Sequence, residues 1–190
     1  MVGTDGTLGS WHWRVIVRNM FPLLIGLSVV VLVAGIRLEN ARELLEEYAV
    51  LAVMVPTMVD MGGNLGAILS ARLTTRFHLG REVLDPRNRE LWGNVLAIFA
   101  LAATIFTALA VGAYLLGSLI GSTLSLADLL AVSLVSGMAL AAVAVVCSFT
   151  ATWASYRLGI DPDDTTIPIV TNVVDVFGML IFVGVAMWLL

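Results

Sequence analysis

The stretch Ile167-Pro-Ile-Val-Thr-Asn-Val-Val-Asp-Val-Phe-Gly178 sets a carboxylate, Asp175, inside a run that otherwise reads as a membrane span. A second stretch, Pro56-Thr-Met-Val-Asp-Met-Gly-Gly-Asn-Leu-Gly66, does the same with Asp60. An acid in lipid costs several kcal/mol unless it faces a bundle interior, a partner or water. A chain this apolar does not place acids there for packing. The two acids therefore imply a polar path through the bilayer, and paired carboxylates suit a cation as the traveller.

The composition supports a chain that lies almost wholly in the bilayer. Hydrophobic residues make up 59% of the 190 residues and charged residues 13%. The first figure exceeds, and the second is about half of, what soluble domains carry. All ten basic residues are Arg, and the net charge is -4, which argues against nucleic-acid binding. The single Cys147 sits in an apolar segment and reads as a small packing residue.

Five apolar stretches emerge, at about Met20 to Ile36, Tyr48 to Leu73, Leu91 to Leu119, Leu126 to Tyr156 and Ile167 to Leu190. The first follows Arg14 and Arg18 and leads into a charged helical segment, so it reads as a retained span rather than a cleaved signal. Only Asp128 carries charge between Glu90 and Arg157; Gly117, Gly121 and a Ser/Thr cluster mark a tight turn between the third and fourth spans. The expectation is an all-α polytopic membrane protein with five transmembrane helices. Counted by short loops, Arg14, Arg18, Arg72, Arg76, Arg81, Arg87, Arg89 and Arg157 fall on one side and Arg37 and Arg42 on the other. That bias predicts a cytoplasmic N-terminus and an extracytoplasmic C-terminus in the cell membrane. Five spans cannot form two equal inverted halves, a common transporter plan. A path formed at a dimer interface is the natural alternative. Gly62-xxx-Gly66 and Gly117-xxx-Gly121 allow close helix packing, either within the chain or between copies.

On the fifth span, Thr171, Asp175, Gly178 and Phe182 share a helical face and Asn172 lies beside it. Pro168 is expected in the helix's first turn, after an acidic turn carrying Asp161, Asp163 and Asp164. Those three acids read as a solvated loop that could also gather cations. Carboxylate, hydroxyl and amide are the ligands a hard cation wants. The alternative for Asp175, an ion pair with an intramembrane Arg, lacks an Arg in any span core. On the second span, Pro56, Asp60 and Asn64 form an i, i+4 stripe; Gly62-Gly63 permits a break or a close helix approach. Asn64 could equally fix packing by an interhelical hydrogen bond. The candidate metal-site residues are thus Asp175, Asp60, Asn64, Thr171 and Asn172. Other polar features are bland. Glu39, Glu43, Glu46 and Glu47 interleave with Arg37 and Arg42 as an ordinary polar face, and Trp11, Trp13, Trp92, Trp153 and Trp188 sit near span ends as interfacial anchors. His78 has no Cys or acid at metal spacing. Both His residues lie outside the spans and the two membrane acids are far apart in sequence, which disfavours an intramembrane enzyme.

Together, Pro56-x-x-x-x-Met-Gly-Gly-Asn-x-Gly66 and Asp161-Pro-x(5)-Pro168-x-x-Thr171-x-x-x-Asp175-x-x-Gly178 resemble the membrane domain of the MgtE family of magnesium channels and transporters, which eukaryotic magnesium solute carriers share. The resemblance covers about residues 14–190, behind a short segment 1–13. It implies a five-helix domain that dimerises around a central cation pore, with Asp175 as the magnesium-binding acid and Thr171 and Asn64 as its neighbours. It implies transport rather than catalysis, no cofactor, and Mg²⁺ as the transported ion. Bacterial members usually carry cytoplasmic magnesium-sensing domains, whose place here is taken by about a dozen residues. Asp60 stands where the family usually has a small residue. A single-domain chain is expected to pair with itself or with a paralogous half. A Na⁺- or H⁺-coupled exchanger shares the same site and is the second reading; a scaffold subunit is a third.

Overall fold

Residues 13–39, 41–79, 87–158 and 162–190 are described by a computed structural model. They form six helices: α1 (Trp13–Glu39), the short α2 (Arg42–Glu47), α3 (Ala49–His78), α4 (Arg89–Ile120), α5 (Leu126–Leu158) and α6 (Pro162–Leu189). Four of these, α3 to α6, are long and apolar enough to cross a membrane; the apolar part of α1 is the shorter Met20–Ile36. With no water in the bilayer core to satisfy backbone groups, long helices are the economical solution for such sequences. The chain is therefore a multi-pass membrane protein.

The helix ends follow local chemistry. The Asn88 side chain caps α4 by accepting from the backbone N–H of Glu90. Gly121 ends the same helix in the left-handed region, at φ 78°, and Ser122 N–H closes the turn onto the Gly117 carbonyl at 2.9 Å. The tight turn expected between the third and fourth spans is this one. Ser125 then starts α5, exchanging hydrogen bonds with Asp128.

Helix α6 departs from the expected layout. It begins at Pro162, so Pro168 lies inside the helix rather than in its first turn. Pro162 supplies a start that needs no N–H, and the following Asp-Asp-Thr-Thr segment continues as helix instead of a loop. Asp161 and the side chains of Asp163 and Asp164 lie outside the described residues, as do Trp11 and the side chain of Trp13. Helix α3 likewise runs unbroken through Pro56 and Gly62-Gly63. Of the two roles open to that glycine pair, the backbone takes close approach, not a break.

Helices α3, α5 and α6 pack mutually, α4 closes on α3 and α5, and α1 rests chiefly on α6. The core runs through Leu51, Met58, Leu69, Phe106, Leu140, Val174 and Phe182, all without exposure. Most of α1 turns apolar side chains outward, among them Phe21, Val29 and Leu32. Such a face suits lipid, not water. Arg42 pairs with Glu46 at 2.7 Å and with Glu39 at 3.5 Å, all exposed, so this acidic segment is an ordinary solvated face. Trp92, Trp153 and Trp188 are exposed near helix ends.

Buried serines join the helices. Ser70 donates to Ser148 at 3.1 Å, Ser148 to the Gly66 carbonyl, and Ser133 to the Phe106 carbonyl at 2.7 Å. The last bond ties α5 to α4 where Gly137 admits the Phe106 ring. A Cβ on Gly137 would collide with the Phe106 ring. Gly137→Ala is therefore expected to destabilise the fold by about 1–3 kcal/mol, read as a lower melting temperature in detergent. An unchanged melting curve would mean that α4 and α5 do not meet as described.

Candidate functional site

The site begins with spacing on α3. Pro56, Asp60 and Asn64 are all exposed on one side of the helix, while Gly62, Leu65 and Gly66 on the other side are buried and Gly63, three residues on from Asp60, is buried at the edge of the stripe. The i, i+4 stripe is thus intact: Asn64 Nδ2 donates to Asp60 Oδ2 at 3.1 Å. Among the described residues Asn64 partners Asp60 on its own helix. The least apolar of the four long helices is the one that carries this stripe.

Glycines of α3 then let α6 close against it. A Cβ on Gly63 would stand 2.9 Å from Asp175 Oδ1 and 3.9 Å from Thr171 Cβ. One on Gly66 would meet Val170 at 2.7 Å, and one on Gly178 would come 3.6 Å from the backbone Cα of Val59. Gly62 accommodates Leu140 and Val174 in the same way. The Gly62-xxx-Gly66 pattern is therefore spent on contacts inside the protomer, and so is Gly117, which faces Ser122 and Val50. The result is that the Asp175 carboxyl is seated on the Gly63 backbone, half-buried, with Asp60 near enough for the two acids to repel.

The remaining candidates divide. Thr171 is half-buried beside Gly63, and its hydroxyl donates to the Ile167 and Pro168 carbonyls of its own helix, keeping lone pairs to offer. Asn172 Nδ2 donates to the Pro168 carbonyl at 2.9 Å, so only its oxygen remains for a ligand. On the predicted shared face of α6, Gly178 and Phe182 are buried while Thr171 and Asp175 are half-exposed. Asp175 and Thr171 thus face Gly63, with Asp60 within electrostatic reach of Asp175 and Asn64 bonded to Asp60; Asn172 is turned back on the helix. Among the described residues, neither acid meets an Arg or His; Arg42 pairs with Glu39 and Glu46, and Arg76 with Glu90. No group of three or more His, Cys, Asp or Glu gathers as a metal cage among the described residues.

Two contacts were not anticipated. Gly63 as the seat of Asp175 was hidden because a glycine pair signals close approach without naming the partner. The Arg76–Glu90 ion pair, 2.8 Å between α3 and α4, links opposite charges on either side of a short loop, a signal present in the sequence.

With this geometry in view, a family model described as MgtE, a divalent cation transporter, matches residues 55–185. The chain belongs to the MgtE family. The match spans both polar stretches and the helices between them, and covers well over half the chain. No curated protein and no solved structure matches. Membership places the chain among transporters of divalent cations, a transporter family and not an enzyme family.

The seat on Gly63 can be disturbed alone. The atom that a new Cβ meets there is the end of the Asp175 side chain, which can move. Gly63→Ala is expected to leave the melting temperature close to wild type while lowering divalent cation flux in liposomes several-fold. Wild-type flux would show that transport does not depend on where this carboxyl sits.

Proposed function

We propose that two copies of the chain form a path for Mg²⁺ along their two-fold axis, with Asp175 as the principal ligand. The observation that carries this reading is the exposed Asp60–Asn64 pair beside Asp175, without a basic partner among the described residues. In a bilayer an exposed carboxylate–amide stripe at mid-span requires water or a partner surface. A symmetric partner supplies both, since an isologous interface sets the same stripe against itself.

Chemistry favours a divalent occupant. One protomer offers two carboxylates, an amide and a hydroxyl, which is too few for a dehydrated ion. Two protomers offer twice that. Mg²⁺ gives up water reluctantly and prefers octahedral geometry, so a largely hydrated ion held through its waters suits such a set. Carboxylates gathered without an ion repel one another, and a doubly charged ion relieves that better than a singly charged one. Asp175 and Thr171 on α6 and Asp60 and Asn64 on α3 line the path; the Asn172 oxygen borders it. The Arg-rich ends of the helices lie in the cytoplasm, which places the N-terminus inside and the C-terminus outside. The ion moves down its electrochemical gradient, with no cofactor.

The test is flux through purified protein in liposomes. Asp175→Ala is expected to abolish Mg²⁺ flux, by at least about a hundredfold if the lost ligand is worth about 3 kcal/mol, while the mass in detergent remains that of a dimer. Full transport by this variant rejects the role. Imposed Na⁺ or pH gradients should leave the wild-type rate unchanged; dependence on either would mean coupled exchange.

Asp60 is expected to tune the path. Asp60→Gly should retain part of the flux but shift the preference among Mg²⁺, Mn²⁺, Co²⁺ and Ca²⁺ or the pH dependence of transport. Superimposable selectivity and pH profiles would remove Asp60 from the site.

A further inference from the structure

At the Arg-rich end of the bundle, α3 and α4 enclose an open groove of about 500 Å³ lined by Ala71, Arg72, Thr75, Arg76, Glu90, Gly93 and Asn94. It lies well away from Asp60 and Asp175 along α3 and takes no part in the path proposed above. Arg72 stands at its rim, exposed, and donates to Asn94 Oδ1 at 2.8 Å. Arg76 belongs to its floor. The Arg76 side chain is only 10% exposed, whereas that of its ion-pair partner Glu90 is 65% exposed.

Arg76 is incompletely satisfied. One terminal nitrogen, Nη2, reaches Glu90 Oε2 at 2.8 Å, but the Nε donor is buried and has no hydrogen-bond partner. A buried donor left unpaired costs about 1–3 kcal/mol, more for a charged group. An acceptor brought to the floor of the groove would satisfy it. Glu90 neutralises one of the two guanidinium charges, so Arg72 leaves the groove net positive. Planar guanidinium groups match the oxygens of a phosphate.

We propose that this groove seats the phosphate of an anionic phospholipid from the cytoplasmic leaflet, accepting hydrogen bonds from Arg76 Nε and Arg72. The position argues for a lipid over a soluble anion. The groove opens at the ends of two membrane-length helices, and α4, which lines it through Glu90, Gly93 and Asn94, carries exposed Trp92 and Leu96 on the same turns, side-chain types that suit the interface and an acyl chain. Arg89, exposed at the start of α4, adds positive charge on the same side. Basic residues at this depth gain from the negative surface of the inner leaflet. The inference rests on the cytoplasmic placement of the Arg-rich ends and not on the ion site, so it stands or falls separately from Asp175.

The experiment is native mass spectrometry and thermal unfolding of the full chain in detergent, with phosphatidylglycerol, phosphatidylcholine or inorganic phosphate added. The expected result is one phosphatidylglycerol retained per chain, bound about tenfold more tightly than phosphatidylcholine, and raising the melting temperature. Arg72→Gln should cut that preference several-fold without altering the mass of the protein assembly. Arg76→Lys, which keeps the charge but removes the Nε donor, should cut it as well. If Arg76→Lys does not fold, Arg72→Gln decides. Equal binding of the two lipids, equal protection by inorganic phosphate at the same concentration, or an unaltered preference in Arg72→Gln would overturn the proposal.

Discussion

The structure turns on how closely α3 and α6 approach. Glycines of α3 permit that approach: Gly63 admits the Asp175 carboxyl, and Gly66 admits the Val170 side chain. In lipid there is no hydrophobic force between apolar helices, so association depends on packing and hydrogen bonds, and small residues are what permit it. The same contact that holds α6 against α3 therefore decides where the acid of α6 lies relative to the acid of α3. Packing and site are one arrangement; a larger residue at Gly66 would widen both.

The polar residues show how the bilayer sorts hydrogen bonds. Thr104, Thr107, Thr150 and Thr152 turn their hydroxyls onto carbonyls of their own helices, which satisfies them at little cost. Ser70, Ser133 and Ser148 bond across helices at buried positions. A carboxylate has no such retreat, because as an anion it accepts only and helix carbonyls offer it nothing. Asp60 finds a single donor in Asn64, and Asp175 finds none among the described residues. That contrast, more than the presence of acids as such, separates these two residues from the rest of the polar inventory.

Much of this was legible in the sequence, for definite reasons. Span positions follow from apolar runs, which helices in lipid cannot hide. The Asp60–Asn64 bond follows from i, i+4 spacing, and the turn at Gly121 from a glycine followed by hydroxyl residues. The start of α6 was less visible: Gly-Ile-Asp-Pro-Asp-Asp reads as a turn, yet a proline at a helix start favours helix, and Pro168 does not interrupt it. Partner choice was hidden as well. Gly62-xxx-Gly66 announces closeness but not to what, and the backbone spends it on α5 and α6 within the protomer. The orientation of Asn172 toward the Pro168 carbonyl could not be seen either, because a side chain near a proline has a local bond to weigh against a ligand.

The proposed two-fold path carries an electrostatic consequence. Asp60 and Asp175 from two protomers would bring four carboxylates to one region, and no basic residue of the spans answers them among the described residues. Such an array is held together by what occupies it. At effective dielectric constants near 20, two unit charges about 4 Å apart interact by about 4 kcal/mol, so even partial neutralisation by a divalent ion outweighs the packing worth of one small residue. Emptying the path would then drive the acids apart, and that change bears directly on the Gly63 seat. Occupancy and the α3–α6 contact would then be coupled within the membrane itself.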